Sequence, residues 1–278
     1  GADADDTVYT NELWGITEFT APEGVSTFAD LAQMPYLNKL TIQNQAIDSL
    51  KHLSTLSNLS ILDLSGCSFP VEEMSVLTGL PYLKQLSLSG CSLSTIAGLA
   101  NAQSLTHLDL SNNTVRNLEA LSPMTTLQSI NLDHNAVTSL DALSSLGSLE
   151  TLKVSYNAVT SLTALESCAR LRQLEAEHNQ ISSVNGIDSL PLLEELVLDN
   201  NNLTDVSSLS SCTELKRLSI ASNTLSDISS LYTLTNLESF DFSGNQVAEL
   251  PDWPDGCPLQ TIDGSYNALT SIDGLSNM

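Results

Sequence analysis

Residues 127–148 read LQSINLDHNAVTSLDALSSLGS, and this 22-residue unit decides the fold because the chain repeats it. Leucine opens each copy, at Leu37, Leu59, Leu83, Leu105, Leu127, Leu149, Leu171, Leu193, Leu215, Leu237 and Leu259. The spacing is 22 residues except between Leu59 and Leu83, where it is 24 and two extra residues fall near residues 70–73. The sequence therefore predicts ten complete units and a truncated eleventh.

Each unit combines two hydrophobic periods, in the pattern LxxLxLxxNx(I/L/V)xx(L/I/V)xxLxx(L/C/A). The alternating LxL segment indicates a strand, and the later three-residue spacing indicates a short 3₁₀ return. A single unit cannot bury its apolar side, whereas stacked copies share one core and one parallel sheet. Eleven strands about 4.8 Å apart would span roughly 50 Å.

Polar and thiol side chains occupy the ninth position of the unit, counted from the opening leucine. Asparagine stands there in the last eight units, where its amide can satisfy backbone groups at the inward turn. Gln45, Cys67 and Cys91 stand there in the first three. The five cysteines form no CxxC pair, so neither a zinc knuckle nor a complete disulfide framework is indicated. A bridge between Cys67 and Cys91 is geometrically conceivable and stays open at this point.

This unit resembles that of leucine-rich repeat proteins of the 22-residue class, which bacterial internalins and a eukaryotic phosphatase-regulatory subunit typify. The resemblance covers residues 37–278. It implies an α/β leucine-rich repeat solenoid, a curved right-handed superhelix with a parallel sheet on its concave face and short 3₁₀ or irregular returns on its convex face. It also implies that the concave sheet binds a protein partner, usually outside the cell in the internalin-like group.

The charge balance excludes several classes of partner. Nine Lys and Arg against 33 Asp and Glu give a net charge of −24, which repels nucleic acid and anionic membrane surfaces. The sequence has no apolar run of about 18 residues, and its start does not resemble a signal peptide. We expect no direct membrane insertion, and any export signal would have to precede Gly1.

The ends of the repeat region differ from its middle. Residues 1–36 contain seven acids and no base, and we expect them to form an N-terminal cap with a flexible start over the first ten residues. Apolar side chains are available to cover the first coil, at Leu13, Trp14, Ile16 and Phe19. The repeat domain spans residues 37–278 and stops at Met278, the twentieth position of its unit. We therefore expect either a continuation of the chain or a covering partner there, and otherwise a monomer.

Outward-facing positions three, five, seven and eight place side chains in columns along the concave face and its rim. Acids concentrate around Lys153 in the middle of these columns, and imidazole and aromatic groups cluster in column eight. The predicted partner-binding residues are Asp109, Asp133, His134, Lys153, Tyr156, Glu175, Glu177, His178, Glu195 and Asp199. A basic or hydrogen-bonding partner would fit this patch, with Tyr156 as its anchor. Equally, a chain with 33 acids exposes some on every face, and the patch then only keeps the sheet soluble.

Catalytic and metal chemistry find little support. There is no GxSxG, P-loop or HExxH motif, and every serine and histidine fits a repeat position, so we expect neither an enzyme nor a cofactor. His107, Asp109, Asp133 and His134 lie on neighbouring coils, yet no calcium-loop spacing supports a metal site.

Two functions remain at the level of the sequence. The first is extracellular recognition or adhesion by a bacterial surface protein, which the resemblance, the acidity and the low lysine content favour. The second is a cytoplasmic regulatory scaffold that binds an enzyme such as a phosphatase on the same concave face. Unpaired thiols are compatible with both.

Overall fold

The computed structural model describes residues 10–25 and 28–276. Its strands are β1 (Glu18–Thr20), β2 (Lys39–Thr41), β3 (Ile61–Asp63), β4 (Gln85–Ser87), β5 (His107–Asp109), β6 (Ser129–Asn131), β7 (Thr151–Lys153), β8 (Gln173–Glu175), β9 (Glu195–Val197), β10 (Arg217–Ser219), β11 (Ser239–Asp241) and β12 (Thr261–Asp263). They form one parallel 12-stranded sheet in chain order, in which each strand pairs with the next. The chain is thus a leucine-rich repeat solenoid with an open sheet, as predicted.

Short 3₁₀ segments return the chain between successive strands from β1 to β11, and two more lie before β1 and after β12. They are Thr10–Gly15, Ala29–Gln33, Leu50–Thr55, Val71–Gly79, Ala97–Leu99, Glu119–Leu121, Asp141–Leu143, Thr163–Ser167, Ile187–Ser189, Ser207–Ser211, Ser229–Thr233 and Asp273–Leu275. The three-residue spacing of leucines has a direct cause. The amide of Leu143 donates to Leu140, that of Leu146 to Leu143 and that of Leu149 to Leu146, at 2.8 to 3.0 Å. Each turn therefore places the next leucine over the core.

The core is one continuous cluster that runs through the stack from Ala21 to Trp253. In the middle coils, positions four and six, such as Ile130 and Leu132, are fully buried, whereas Ile262 at position four of the last coil is 36% exposed. Trp253 fills the return after β11, where three prolines interrupt the pattern, and packs edge-to-face on Phe240 with ring centroids 6.0 Å apart. This irregular loop is therefore part of the core packing.

The asparagines at position nine form the predicted ladder. The Asn135 side-chain amide donates to the carbonyl oxygens of Leu110 in the preceding coil and Leu132 in its own, at 2.9 and 3.0 Å. Its Oδ1 accepts from the amide of Val115 at 2.9 Å. One side chain thus satisfies backbone groups of two coils, which fixes their stacking.

The cysteines are free thiols, so the conceivable bridge between Cys67 and Cys91 is absent. Each of these two thiols donates to a carbonyl of the preceding coil, that of Ile42 at 3.2 Å and that of Leu64 at 3.1 Å. These carbonyls stand at position six, where the ladder asparagines also donate. A cysteine at position nine therefore keeps one contact of the ladder. Cys168 and Cys212 are buried at the last apolar position of their units, as predicted.

The prediction of eleven strands was short by one. β1 pairs in parallel with β2, with Phe19 opposite Leu40, so the N-terminal segment extends the sheet. The repeat signature does not mark it, because Ile16 stands where the other units carry their opening leucine and lies 21 residues before Leu37 instead of 22. Trp14 does not cover the first coil as expected, since its side chain is 54% exposed. The expected flexible start over residues 1–9 lies outside the described residues.

The two-residue insertion lengthens one return without breaking the stack. It falls in the 3₁₀ segment Val71–Gly79, where the Glu73 carboxylate reaches the preceding coil. Glu73 accepts from the Ser49 hydroxyl at 2.7 Å and the Leu50 amide at 2.9 Å, and pairs with Lys51 at 2.9 Å. These contacts lower the pKa of Glu73 to about 2, chiefly through the hydrogen bond with Lys51. Within residues 10–25 and 28–276, no helix has the length and apolarity to cross a membrane.

Candidate functional site

The structure contains the columns of side chains that the repeat predicts. Strand pairing places position five of each coil beside position five of the next, as in Lys153 beside Glu175. Positions three and five of β7 are partly exposed on the concave face, whereas Leu152 between them is buried. The ten predicted residues lie on five consecutive coils, a span of about 20 Å along the sheet.

Most acids in column five have a structural task. Asp109 Oδ1 accepts the amide of Ser111, two residues further on, at 2.9 Å. The same bond recurs between Asn131 and Asp133 at 3.0 Å and in other coils that carry Asp at position five. Such Asx turns satisfy the backbone where the strand ends. Asp109 therefore caps its own coil through one oxygen, and its second oxygen accepts a long hydrogen bond from the Ser87 hydroxyl at 3.4 Å.

Asp133 and Asp199 in column seven perform this task for the next coil. Asp133 accepts the amide of Ser155 at 2.7 Å, and Asp199 accepts the amide of Ala221 at 2.8 Å and the Ser219 hydroxyl at 2.7 Å. The receiving coils carry Lys153 and Ser219 at position five, so neither has an acid or amide of its own there. Burial raises the pKa of both carboxyl groups above the ordinary 3.8. These two acids are thus stacking contacts as well as surface charges.

Ion pairs neutralise two further predicted acids. Glu175 pairs with Lys153 at 3.0 Å and accepts from the Gln173 side chain at 2.6 Å. Glu195 pairs with Arg217 in column three of the next coil. Lys153 is therefore not the only base near these acids, because Arg217 at position three also contributes a guanidinium group. The structure leaves Glu177 as the one predicted acid without a side-chain hydrogen bond or ion pair among the described residues.

The backbone conformation at position eight explains which residue types occur in column eight. Position eight lies in the left-handed region in every unit, with φ between 52° and 71°. Glycine adopts this conformation freely, and asparagine and histidine tolerate it better than most other residues. This requirement accounts for Asn112 and Asn200 without any function. A tyrosine at φ 57°, as in Tyr156, is unfavourable there.

The Tyr156 ring is stacked between two imidazoles. Its centroid lies 4.3 Å from that of His134, with an interplanar angle of 12°, and 4.3 Å from that of His178, with an angle of 18°. Tyr156 remains 42% exposed, so the rings present their edges at the rim of the concave face. The sequence showed the clustering of these groups but not the contact. We call His134, Tyr156 and His178 the ring stack.

A shallow groove of about 370 Å³ lies on the concave face beside the predicted patch and shares only Asp109 and Lys153 with it. The additional side chains that line it are those of Ile61, Leu62, Asp63, Gln85, Leu86, Ser87, His107, Leu108, Ser129, Ile130 and Asn131. Short side chains at Ser87 and Ser129 leave the strand floor open. The available signal in the sequence was the run of short residues in column five of these coils, at Asp63, Ser87, Asp109 and Asn131.

Among the described residues, the fold does not bring side chains together into a group that could bind a metal ion. Across residues 10–25 and 28–276, no three His, Cys, Asp or Glu side chains are placed to hold a metal ion. The His107 Nδ1 lies 2.9 Å from the Thr106 hydroxyl, and Asp109 and Asp133 hold backbone amides.

Comparison with known proteins places the chain in a family. Leucine rich repeat profiles match residues 101–118, 125–181, 169–211 and 213–255, together more than half of the chain. Among curated protein sequences, none matches it significantly.

Solved structures give the same answer. An internalin, InlF, from Listeria monocytogenes is 25% identical, with a TM-score of 0.77 over 97% of this chain and 86% of that one. Internalin C2 from the same species is 28% identical, with a TM-score of 0.62 over 78% of this chain and 84% of that one. A plant peptide hormone receptor, RGFR1, solved in complex with RGF2, is 22% identical, with a TM-score of 0.72 over 91% of this chain and 42% of that one. The chain belongs to the leucine-rich repeat family and is an internalin-like member of it.

Proposed function

We propose that this protein binds a protein partner through the middle of its concave face, with the ring stack on the rim as anchor, in extracellular recognition or adhesion by a bacterial surface protein. The leucine-rich repeat fold is that of a protein-interaction module, and the receptor RGFR1 is an example with its ligand bound. The observation that carries the proposal is the exposed Tyr156 ring, held between two imidazoles on an unfavourable backbone. The left-handed backbone belongs to the repeat, and what distinguishes Tyr156 is its stacking between two imidazoles while it stays exposed; tyrosine is a frequent interface anchor.

The charges beside the ring stack suit a partner with basic side chains. Glu177 is free of side-chain contacts among the described residues, and the capping acids Asp109 and Asp133 each use only one oxygen for the backbone. Lys153 is engaged by Glu175. An arginine or lysine of the partner would therefore meet acceptors here without displacing a stacking contact.

We further propose that the module is not an enzyme. Its histidines at positions eight serve the turn and the ring stack, and none lies within hydrogen-bond reach of a serine hydroxyl in the described residues. Nucleophilic catalysis needs such a pair, together with a site that excludes water.

The second candidate is an intracellular regulatory scaffold that binds an enzyme such as a phosphatase. All five cysteines are free thiols, which suits a reducing compartment and is also compatible with the first candidate. The scaffold would use the same concave face, so the source of the partner distinguishes the two candidates.

The test is quantitative capture from surface extracts of eukaryotic cells and from bacterial lysate in parallel. The baits are the wild-type chain, Tyr156→Asn and Glu177→Lys, with Tyr232→Asn as matched control because Tyr232 is an exposed tyrosine on a convex 3₁₀ segment. We expect wild type and Tyr232→Asn to capture the same partner, and Tyr156→Asn and Glu177→Lys to lose it. Capture that is equal for all four baits would refute the proposed site, and a partner from the lysate alone would favour the scaffold.

A further inference from the structure

A second recess lies away from the concave columns, on the flank of the first coils. It is an open recess of about 620 Å³ between the exposed side chains of Tyr36 and Tyr82, with Thr17, Asn38, Asn58 and Ser60 as its floor and Lys84 in the last of its coils. None of these residues belongs to the proposed partner-binding face. The recess is therefore independent of the function proposed above.

The two tyrosines form the walls. Each directly precedes the opening leucine of its unit, Leu37 and Leu83, and Asn58 stands at the equivalent position of the coil between them. Their backbones are thus two coils apart, about 10 Å, which leaves room for one sugar-sized ring between two aromatic side chains. Tyr36 and Tyr82 are 56% and 61% exposed, so their rings are available to a ligand.

The floor consists of polar groups that are held in place. Asn58 Nδ2 donates to the carbonyl of Pro35 at 2.8 Å, and Ser60 Oγ donates to Asn38 Oδ1 at 2.9 Å. Asn38 Nδ2 donates to the carbonyl of Asn58 at 3.3 Å. Asn58 Oδ1, the second hydrogen of each amide and the lone pairs of the Ser60 hydroxyl remain for a ligand. A sugar hydroxyl can both donate and accept, so it can pair with either kind of group.

The end of the recess carries a positive charge in a strongly acidic protein. The net charge is −24, yet the ion pairs of the described residues do not include the Lys84 ammonium. A single ammonium suits a ligand with one carboxylate, whereas the net charge of −24 would repel a polyphosphate more strongly. A purely aromatic or aliphatic ligand would displace water from the polar floor and offer no hydrogen bonds in its place, which is unfavourable.

We propose that this recess binds an acidic sugar, a uronic or sialic acid residue, with its ring between Tyr36 and Tyr82 and its carboxylate at Lys84. Aromatic rings pack against the C–H face of a sugar, and the asparagine amides bind its hydroxyls. The sugar could be a free saccharide or the end of a glycan on a glycoprotein, and the chemistry of recognition is the same.

Saturation-transfer NMR with the intact chain tests this proposal. The probes are sialyllactose, digalacturonate, lactose as the neutral sugar and uridine monophosphate as a planar competitor, and a sialylated glycoprotein with its desialylated form distinguishes the source. We expect one acidic saccharide to bind, with affinity reduced about tenfold by Tyr36→Ala or Tyr82→Ala. Lys84→Ala should remove the preference for the acidic over the neutral sugar.

The controls separate loss of the site from loss of the fold. Tyr82→Phe should retain binding, because it keeps the ring, and Tyr232→Ala should bind as wild type does. The tyrosine variants should keep the wild-type melting temperature, since both side chains are exposed. The proposal would be overturned if neither acidic sugar bound at about 10 mM. It would also be overturned if the nucleotide bound more strongly than the sugars, or if the tyrosine variants bound as wild type does. These outcomes leave the concave face untouched, so they are distinguishable from failure of the proposed function.

Discussion

Asp199 accepts a hydrogen bond from the backbone amide of Ala221, 2.8 Å away in the next coil. This contact makes a surface carboxylate part of the stacking of the solenoid. Glu177, at the equivalent position of the preceding coil, makes no such side-chain contact among the described residues. Two acids that look alike in the sequence therefore have different roles.

The first prediction concerns this difference. Asp199→Ala should lower the free energy of unfolding by about 1 to 3 kcal/mol, because the amide of Ala221 loses its partner in a partly buried position. Glu177→Lys should leave it nearly unchanged. Urea unfolding at neutral pH measures both, and equal losses would contradict the assignment.

Asp199→Asn isolates the role of charge. The asparagine oxygen can still accept from Ala221 and Ser219, and no charge is buried. Burial raises the folded-state pKa of Asp199, so the folded chain binds a proton more readily than the unfolded chain. The contribution of Asp199 to the free energy of unfolding is most favourable at pH values below the ordinary pKa of 3.8. It declines as pH rises through the higher pKa of the folded state. We expect Asp199→Asn to be at least as stable as wild type at pH 7, and a clear destabilisation would refute this account.

The second prediction concerns Tyr156. The left-handed backbone opposes a tyrosine by about 1 to 2 kcal/mol, whereas two stacked ring contacts stabilise it by about 0.5 to 1.5 kcal/mol each. Tyr156→Asn removes both effects, since asparagine tolerates this conformation, so stability should change by less than about 1 kcal/mol. Chemical denaturation checks this expectation.

Tyr156→Ala provides the matched comparison. Alanine loses the ring contacts and remains unfavourable at φ 57°, so this variant should be less stable than Tyr156→Asn. Because both variants lose the ring contacts, the reverse order would contradict the role given to the left-handed backbone at this site.

The third prediction concerns the insertion. Hydrogen bonds from Lys51 and Ser49 lower the pKa of Glu73 to about 2 from an ordinary 4.5. The stabilising effect of the ionised carboxylate is complete above about pH 4.5 and is lost as pH falls through about 2. Glu73→Gln should therefore be less stable than wild type at neutral pH, with a difference that shrinks below pH 4.5.

Thermal unfolding from neutral to acidic pH measures this effect. Glu72→Gln is the control, because the neighbouring Glu72 side chain is exposed and takes no part in the contact with the preceding coil. A pH profile of Glu73→Gln parallel to that of wild type would contradict the prediction.

The fourth prediction concerns thiol reactivity. Burial raises the pKa of Cys91, Cys168 and Cys212 to about 11, and it raises that of Cys67 as well. Cys257 is only partly buried. Because the thiolate is the reactive form, a chromogenic disulfide reagent should modify one thiol quickly in the folded chain and five after unfolding.

Cys257→Ser should abolish the fast reaction. Rapid modification of Cys67 or Cys91 instead would show that the ninth position opens in solution, in disagreement with its buried contacts to Ile42 and Leu64.

The sequence by itself determined the repeat, its register and the faces of its side chains. Leucines at two periods leave only one arrangement in which every coil buries its apolar side, so the columns of the concave face could be written down residue by residue. The ladder at position nine followed from the same reasoning. The strand β1 was missed because its coil has Ile16 in place of the opening leucine, 21 rather than 22 residues before Leu37.

Only the tertiary structure decided what each column residue does. Whether a carboxylate is free depends on the neighbouring coil, as Asp199 with Ala221 and Glu195 with Arg217 demonstrate. The strain at position eight and the stacking of Tyr156 between His134 and His178 depend on backbone angles and ring orientations. A linear pattern specifies which residues are neighbours, whereas hydrogen bonds and ring contacts depend on distances and directions that exist only once the coils are stacked.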